Sequence, residues 1–453
     1  MRNTSGSVIC LFFLFVTLGG RVPLHAQTAA SSIPAVDIVS QLGQYVDAAS
    51  GVGLDRLVQL ALTRNSDLLA TRQRTLEAQG LLRQAGLRPN PVLETEFSSG
   101  SPTGSSGERS FSLGYAHPFE LGGKRARRVE LGEAGVDLAR LEITDRERTL
   151  RAELQGRYIT AMAAIRNLES VTQQLEVTQQ SYVVTQRRVS EGESPRVEQM
   201  ILQAEVGRLT AERLLLASEA QQAMLDLRVA AGLELSGPLR LKPDGDRPPL
   251  AVTLEAAVER GLAARPDLAA ARGEEARSGG EIRLAEAERV PDIAALVRYT
   301  DTHSRIDLFG LTAFGAVAPI RDRDRILTGG LSITLPLLSR NQGQIEAARA
   351  RQRAASLRRE YLERVVRAEI AGAYGRYLAA RQAVQTFETM VIQPSQEGVR
   401  VLRASYTAGE VRLFDVLTEQ RRLIDTQKAY TDAIRQEALA RVALERAIGT
   451  TLP

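Results

Sequence analysis

The chain has 453 residues, of which 25% are charged and only 4% aromatic, with no Trp, and its formal net charge is +4. So little aromatic bulk argues against one large compact core, where such rings dominate burial, and suits long helices and coiled coils. A small net charge with both signs interleaved excludes a dedicated nucleic-acid surface.

The N-terminus, "MRNTSGSVICLFFLFVTLGGRVPLHAQTAA", reads as a secretory signal peptide over residues 1–26, followed by a short N-terminal segment, 27–53. Its apolar run, Val8 to Leu18, is too short to span a bilayer as a helix, which takes about 20 residues. Cys10 lies within that run instead of after it, which speaks against lipid attachment. Cleavage after Ala26 would remove Arg2 and Arg21, taking the charge from +4 to +2, together with Cys10 and His25. His117 and His303 then remain, far apart in sequence, so no disulfide, thiol nucleophile, Ser/His/Asp triad, metal cluster or cofactor site is expected. No second apolar stretch reaches spanning length, so a place in a membrane would have to be taken by strands.

The rest of the chain is written twice. "LDRLVQLALTRNSDLLATR" from Leu54 matches "LEAAVERGLAARPDLAAAR" from Leu254, and "LRPNPVLETEF" matches "ERVPDIAALVRY", aligning Pro91 with Pro291. "ELQGRYITA" from Glu153 answers "EIAGAYGRY" from Glu369, and Gly192-Glu193 answers Gly409-Glu410. Four matches in one order define a tandem duplication, with repeats at 54–235 and 254–449 and a Pro/Gly-rich linker at 236–253.

Each repeat opens with a proline-ended amphipathic helix, Leu54–Leu87 or Leu254–Val290. Period-two stretches follow: "SFSLGYAHPF", "DIAALVRYT" and "LSITLPLL", the last with Leu331, Ile333, Leu335 and Leu337 on one face. The connection in the first repeat is Gly/Ser-rich; in the second it is expected to be a long mixed loop, 301–330. A very long helix comes next. From Lys124 to Ser190 there is no proline, and about 65 residues correspond to roughly 100 Å. Its counterpart runs from about Gln344 to Ile392, with a three–four seam through Leu362, Val366, Ile370, Ala373, Tyr377, Ala380, Val384, Phe387 and Val391. Gly192 and Gly409 mark hairpin turns, after which helices of about 35–40 residues return.

Between strand and long helix stands "HPFELGGKRARR", which matches neither GxxxxGK[ST] nor GxGxxG. Its partner in the second repeat, "LPLLSRNQGQIEAAR", makes both a strand-to-helix hinge: Pro118 and Pro336 end the ladder, and Gly122, Gly123 and Gly343 allow the turn. Lys124, Arg125, Arg127 and Arg128 are expected to face water or lipid headgroups.

Two strands per repeat give four per chain, too few to close a barrel in a membrane. They form a soluble sheet, or three chains pool them into twelve, within the range of outer-membrane barrels. The duplicated helix–strand–strand–long-helix plan resembles the trimeric outer-membrane efflux proteins of the TolC family, from about Leu54 to Gly449. "LRPNPVLETEF", "HPFELGGKRARR" and "LPLLSRNQGQIEAARA" are most similar to the outer-membrane components of cobalt–zinc–cadmium-type (RND) metal efflux systems. The resemblance implies a mixed α and transmembrane-β fold: a tandem-repeat protomer whose four strands contribute to a twelve-stranded trimeric barrel in the outer membrane, on a coiled α-helical periplasmic tunnel. It implies a homotrimer in contact with outer-membrane lipid, a periplasmic adaptor and an inner-membrane RND pump, with no nucleic acid, no enzyme activity and passive conduction, heavy-metal cations being the expected cargo. It also places an acidic gate at the periplasmic end. Asp415 falls on a gate aspartate, Thr418 stands where a second would be with Glu419 beside it, and Glu198 is the first-repeat counterpart. An acidic ring would attract cations; alternatively Asp415 is a helix N-terminal acid favoured by the dipole. Other readings are a duct for drugs, other small molecules or type I secretion, and a periplasmic coiled-coil adaptor, which would carry one hairpin instead of two.

Overall fold

A computed structural model describes residues 45–103, 107–243, 248 and 250–450. The expected leader, most of segment 27–53 and linker residues 244–247 and 249 lie outside the described residues. In chain order the elements are α1 (Leu54–Arg64), α2 (Ser66–Ala85), β1 (Val92–Ser99), β2 (Arg109–Phe119), α3 (Lys124–Ser190), α4 (Arg196–Ala231), α5 (Leu254–Ala264), α6 (Pro266–Ala287), β3 (Ile293–Leu311), β4 (Val317–Ile333), α7 (Gln342–Thr386), a π-helical stretch (Phe387–Ile392), α8 (Gln393–Thr407) and α9 (Leu413–Ile448).

The opening helix of each repeat is two helices, not one. Asn65 leaves the helical region (ψ 116°), and its side chain caps α2 by accepting from the amides of Asp67 and Leu68, both at 3.1 Å. In the second repeat Pro266 does the same work at the first position of α6, since the residue before proline disfavours α geometry. The long helix begins at Lys124 and ends at Ser190 as expected. Its counterpart runs further than expected. Pro394 does not stop it; the π-helical turn Phe387–Ile392 absorbs the missing donor, and α8 continues to Thr407.

Every seam position from Leu362 to Val391 is buried or half-buried. Val366, Ile370, Ala373 and Tyr377 form a core with Ala257, Leu444 and Ile448. The first repeat builds the matching core from Leu57, Leu68, Leu150, Leu154, Leu227 and Leu241. Each such side chain contributes about 1.5–3 kcal/mol by burial. Two buried tyrosines tie the linker to the helices: the Tyr158 hydroxyl donates to the Lys242 carbonyl, and the Tyr377 hydroxyl accepts from the Leu250 amide at 3.1 Å.

The strands form one antiparallel sheet in the order β1-β2-β3-β4. The expected loop 301–330 is instead mostly strand, because β3 and β4 pair from Ile293↔Ile333 out to Leu311↔Val317. β2 pairs through Pro118↔Ala294 and ends at Phe119, whereas β4 ends at Ile333, three residues before Pro336. Neither proline is therefore the terminus expected of it, although Pro118 is next to one.

Candidate functional site

Residues opposed across an antiparallel ladder share a face, and successive residues alternate. One face of the sheet carries Leu93 and Phe97, then Phe111, Leu113 and Tyr115, then Val297 and Tyr299, then Leu327 and Leu331. All of these are exposed on the chain, Leu327 by 73% and Phe97 by 72%, which water alone would not favour. From Phe111 to Phe119 this face extends about 26 Å along the strand, the scale of the apolar band of an outer-membrane barrel, about 25 Å. At its helix-proximal end the His117 ring lies between Tyr115 (6.5 Å) and Phe119 (4.7 Å), an aromatic set of the kind found at membrane interfaces.

The other face is polar and internally paired. Arg298 meets Glu94 at 2.7 Å and Glu96 at 3.6 Å, and the hydroxyls of Ser98 and Ser110 are 2.7 Å apart. Both edge strands, β1 and β4, keep one side unpaired. All four helix connections leave one end of the sheet, and the two hairpin turns lie at the other. His303, expected in a loop, sits in β3 on the first face, past Tyr299 toward the hairpin turns, with its Nδ1 3.6 Å from Asp301, which also pairs with Arg323. Among the described residues no group of three or more His, Cys, Asp or Glu is placed to hold a metal ion, and no helix is long and apolar enough to cross a membrane.

The hinge is a clamp more than a basic patch. Lys124 is buried and reaches Asp292 at 2.7 Å, while Arg125 donates to the Gly86 carbonyl at 2.6 Å. Arg127 pairs with Glu130 at 3.0 Å, and Arg128 forks onto Glu120 at 2.5 and 2.8 Å. The Arg128 fork holds the Glu120 carboxyl below its usual range. Burial alone would raise Asp292, but Lys124 and the Leu121 amide outweigh it and the net shift is down. Lys124 is buried and Arg128 half-buried, so these two are held by the protein, whereas Arg125 and Arg127 are paired yet exposed, as expected. Gly122 and Gly123 both have φ +71°, and a Cβ on Gly122 would stand 2.8 Å from the Val290 Cβ. In the second repeat the left-handed position is Asn341 (φ 60°), whose amide donates to the Ala285 carbonyl at 2.9 Å, so Asn341 makes the turn expected of Gly343. Gly343 lies inside the first turn of α7.

At the far helix ends, Gly192 (φ +80°) and Gly409 (φ +81°) close equivalent turns: Glu193 donates to the Arg188 carbonyl and Glu410 to the Ser405 carbonyl. Of the acids expected near there, Asp415 is exposed in the first turn of α9, and its carboxylate accepts from the Arg412 amide at 3.2 Å. Glu198 accepts from the Tyr406 hydroxyl at 3.2 Å, linking the two hairpins. Burial, then the Glu198 charge, raises the Tyr406 pKa. Glu419 is half-buried beside Gly398 of α8 and 3.9 Å from Arg422. Sequence reasoning missed a fourth acid, Glu205, which is 4% exposed and gripped by Arg208 (2.7 Å) and by Arg421 of α9 (2.5 Å). Burial would raise its pKa, yet the two arginines outweigh burial and hold it below the usual carboxylate range. Beside it Leu202, Leu413 and Leu417 form a small core with Tyr182 and Tyr406. Nothing in the local sequence distinguishes Glu205 from other helical glutamates.

A sheet with one apolar and one polar face, two free edges and long helices at one end has known counterparts. The chain is 24% identical to the cobalt-zinc-cadmium resistance protein CzcC of Cupriavidus metallidurans over 412 residues, covering 89% of this chain and 91% of that one. It is 24% identical to the pyoverdine export outer membrane protein OpmQ of Pseudomonas putida, covering 87% and 85%. The crystal structure of CusC superposes with a TM-score of 0.71 at 20% identity, covering 92% of this chain and 98% of that one. Residues 57–233 and 257–450 each match the outer membrane efflux protein family, one match per repeat, and the chain belongs to that family.

Proposed function

We propose that three copies of this chain close their four-stranded sheets into a twelve-stranded barrel, and that their helices form a periplasmic exit duct conducting cargo passively. The observation that carries this is the sheet itself. Its apolar face suits lipid, its ion-paired face suits a water-filled lumen, and its free β1 and β4 edges cannot remain unpaired in hydrocarbon. Helices attached at one end only support a placement with the hairpin turns outside the cell and the helix ends Gly192 and Gly409 in the periplasm. A periplasmic adaptor meets those ends and connects them to an inner-membrane RND pump, which supplies energy and cargo selection. The tandem repeats 54–235 and 254–449, joined by linker 236–253, give each copy two hairpins for the tunnel wall.

Heavy-metal cations are the proposed cargo, on the likeness to CzcC. The likeness to OpmQ favours a second reading, an organic export cargo, and both are compatible with a duct that leaves selection to its pump. The acids near the helix ends support a cation-attracting periplasmic mouth, with Asp415, exposed and, among the described residues, in no ion pair, as its principal member together with Glu198 and Glu419. The test is deletion of this chain in a strain that keeps its pump: cobalt, zinc and cadmium sensitivity supports the metal cargo. Unchanged metal tolerance together with raised sensitivity to organic compounds would assign the second.

A further inference from the structure

The duplication fixes how neighbouring copies meet. Two ion pairs calibrate the correspondence between repeats: Arg72–Glu147 joins α2 to α3 at 2.8 Å, and Arg272–Glu363 joins α6 to α7 at 3.6 Å. Residues of α2 therefore map to α6 by adding 200, and residues of α3 map to α7 by adding 216. Within the chain, the repeats join where α3 packs on α6. There Leu131 would lie 2.9 Å from a Cβ on Gly280 and Leu138 3.0 Å from one on Gly273, and Glu130 pairs with Arg283.

The packed row runs α2, α3, α6, α7, in the same order as β1, β2, β3, β4, so both layers end at α2/β1 and α7/β4. Among the described residues, no helix extends this row past α2 or α7. Resting on the trimeric assembly proposed above, we infer that α7 of one copy packs on α2 of the next in the register of α3 on α6, and that Glu346 pairs with Arg83 of the partner subunit.

The mapping turns Glu130 into Glu346 and Arg283 into Arg83, an acid and a base at the required places. Both are exposed, and among the described residues neither forms an ion pair within its own chain. The pair Leu138/Gly273 becomes Ala354 against the partner subunit's Gln73, with large and small exchanged, and Leu131/Gly280 becomes Ala347 against the partner subunit's Gly80, two small residues that leave room for the approach. Leu357 (63% exposed) then meets the partner subunit's Leu69 (39% exposed), covering apolar surface that each copy leaves open. Glu346 also lines a cavity of about 600 Å³ with Arg289, Arg340, Arg349 and Arg353, which a neighbouring helix would close.

The test uses the full-length chain carrying Cys10→Ser, purified in detergent and sized. Two variants, Arg83→Cys/Glu346→Cys and the intrachain reference Glu130→Cys/Arg283→Cys, are treated with a short bis-maleimide. The expected result is a within-chain product for the reference and covalent dimers and trimers, in comparable yield, for the first pair. In parallel, Arg83→Glu should lower the temperature at which trimers dissociate, and Arg83→Glu/Glu346→Arg should restore it. Trimers that give neither interchain product nor rescue, while the reference reacts, would overturn this register and leave the trimer standing. A monomer on sizing would overturn the trimer and the register together.

Discussion

Replacing Val297 by arginine separates the two faces of the sheet most sharply. Val297 lies near the middle of the apolar face, opposite Tyr115 on β2 and Gly329 on β4, and is 50% exposed on the chain. An arginine facing lipid at mid-depth of an outer-membrane barrel costs about 2–4 kcal/mol. Three copies bring about 6–12 kcal/mol per trimer, of the order of the whole stability of a typical domain. Thr300→Arg places the same charge on the same strand but on the face of Arg298, Glu94 and Glu96, where no lipid penalty applies. The assay is recovery of heat-modifiable trimers from the outer membrane, followed by urea-dependent folding into lipid vesicles. Val297→Arg should lose trimers and shift folding by at least the single-copy cost, while Thr300→Arg should stay close to the parent. Equal recovery of both, or selective loss of Thr300→Arg, would refute the assignment of lipid and lumen faces.

Three further outcomes are expected. Asp415→Ala should alter cation selectivity or cation block of single channels in planar bilayers; unchanged conductance and selectivity would leave Asp415 as a helix N-terminal acid only. Glu205 stabilises the junction of α4 and α9 in its ionised form. Because its pKa is lowered on folding, that contribution is complete above the ordinary carboxylate value and lost as pH falls through the lowered one. Protection factors of the amides around Leu202 and Leu417, taken relative to intrinsic exchange at each pH, should therefore fall in acid in the parent, whereas Glu205→Gln should already show low protection at neutral pH and lose most of that pH dependence. Gly232→Ala forces a side chain into φ +67° and sets its Cβ 2.7 Å from the Arg64 backbone, so the αL cost of about 1–2 kcal/mol is a lower bound. A lowered thermal midpoint for the first-repeat core checks it.

Much of the fold was legible because it rests on periodicity. The duplication, the proline-free run from Lys124 and the alternation of Phe111, Leu113 and Tyr115 all survive in the structure. The break at Asn65 is missed in reading Leu54–Leu87 as one helix, although "NSD" carries its signal, a capping side chain and two amides for it to accept from. Only the Leu331–Ile333 end of β4 was legible: "RDRDR" (Arg321 to Arg325) alternates charge sign, not polarity, and only pairing with Asp301, His303 and Arg305 of β3 makes it a strand. The continuation of the helix past Ile392 through Pro394 was not readable either, because the π-helical turn before that proline leaves no local signature. Among the site residues, the turn glycines Gly192 and Gly409 declare themselves, as glycine alone enters the left-handed region freely. The contacts of Glu198 with Tyr406 and of Glu205 with Arg421 join residues more than 200 positions apart, and no local pattern encodes them.

On the proposed function, the strands of several copies form one membrane barrel. The most direct measurement is the mass of the detergent-solubilised protein taken from a purified outer-membrane fraction, corrected for bound detergent. A mass three times that of the processed chain is predicted. A single-chain mass, or recovery of the protein in the soluble periplasmic fraction without detergent, would contradict it.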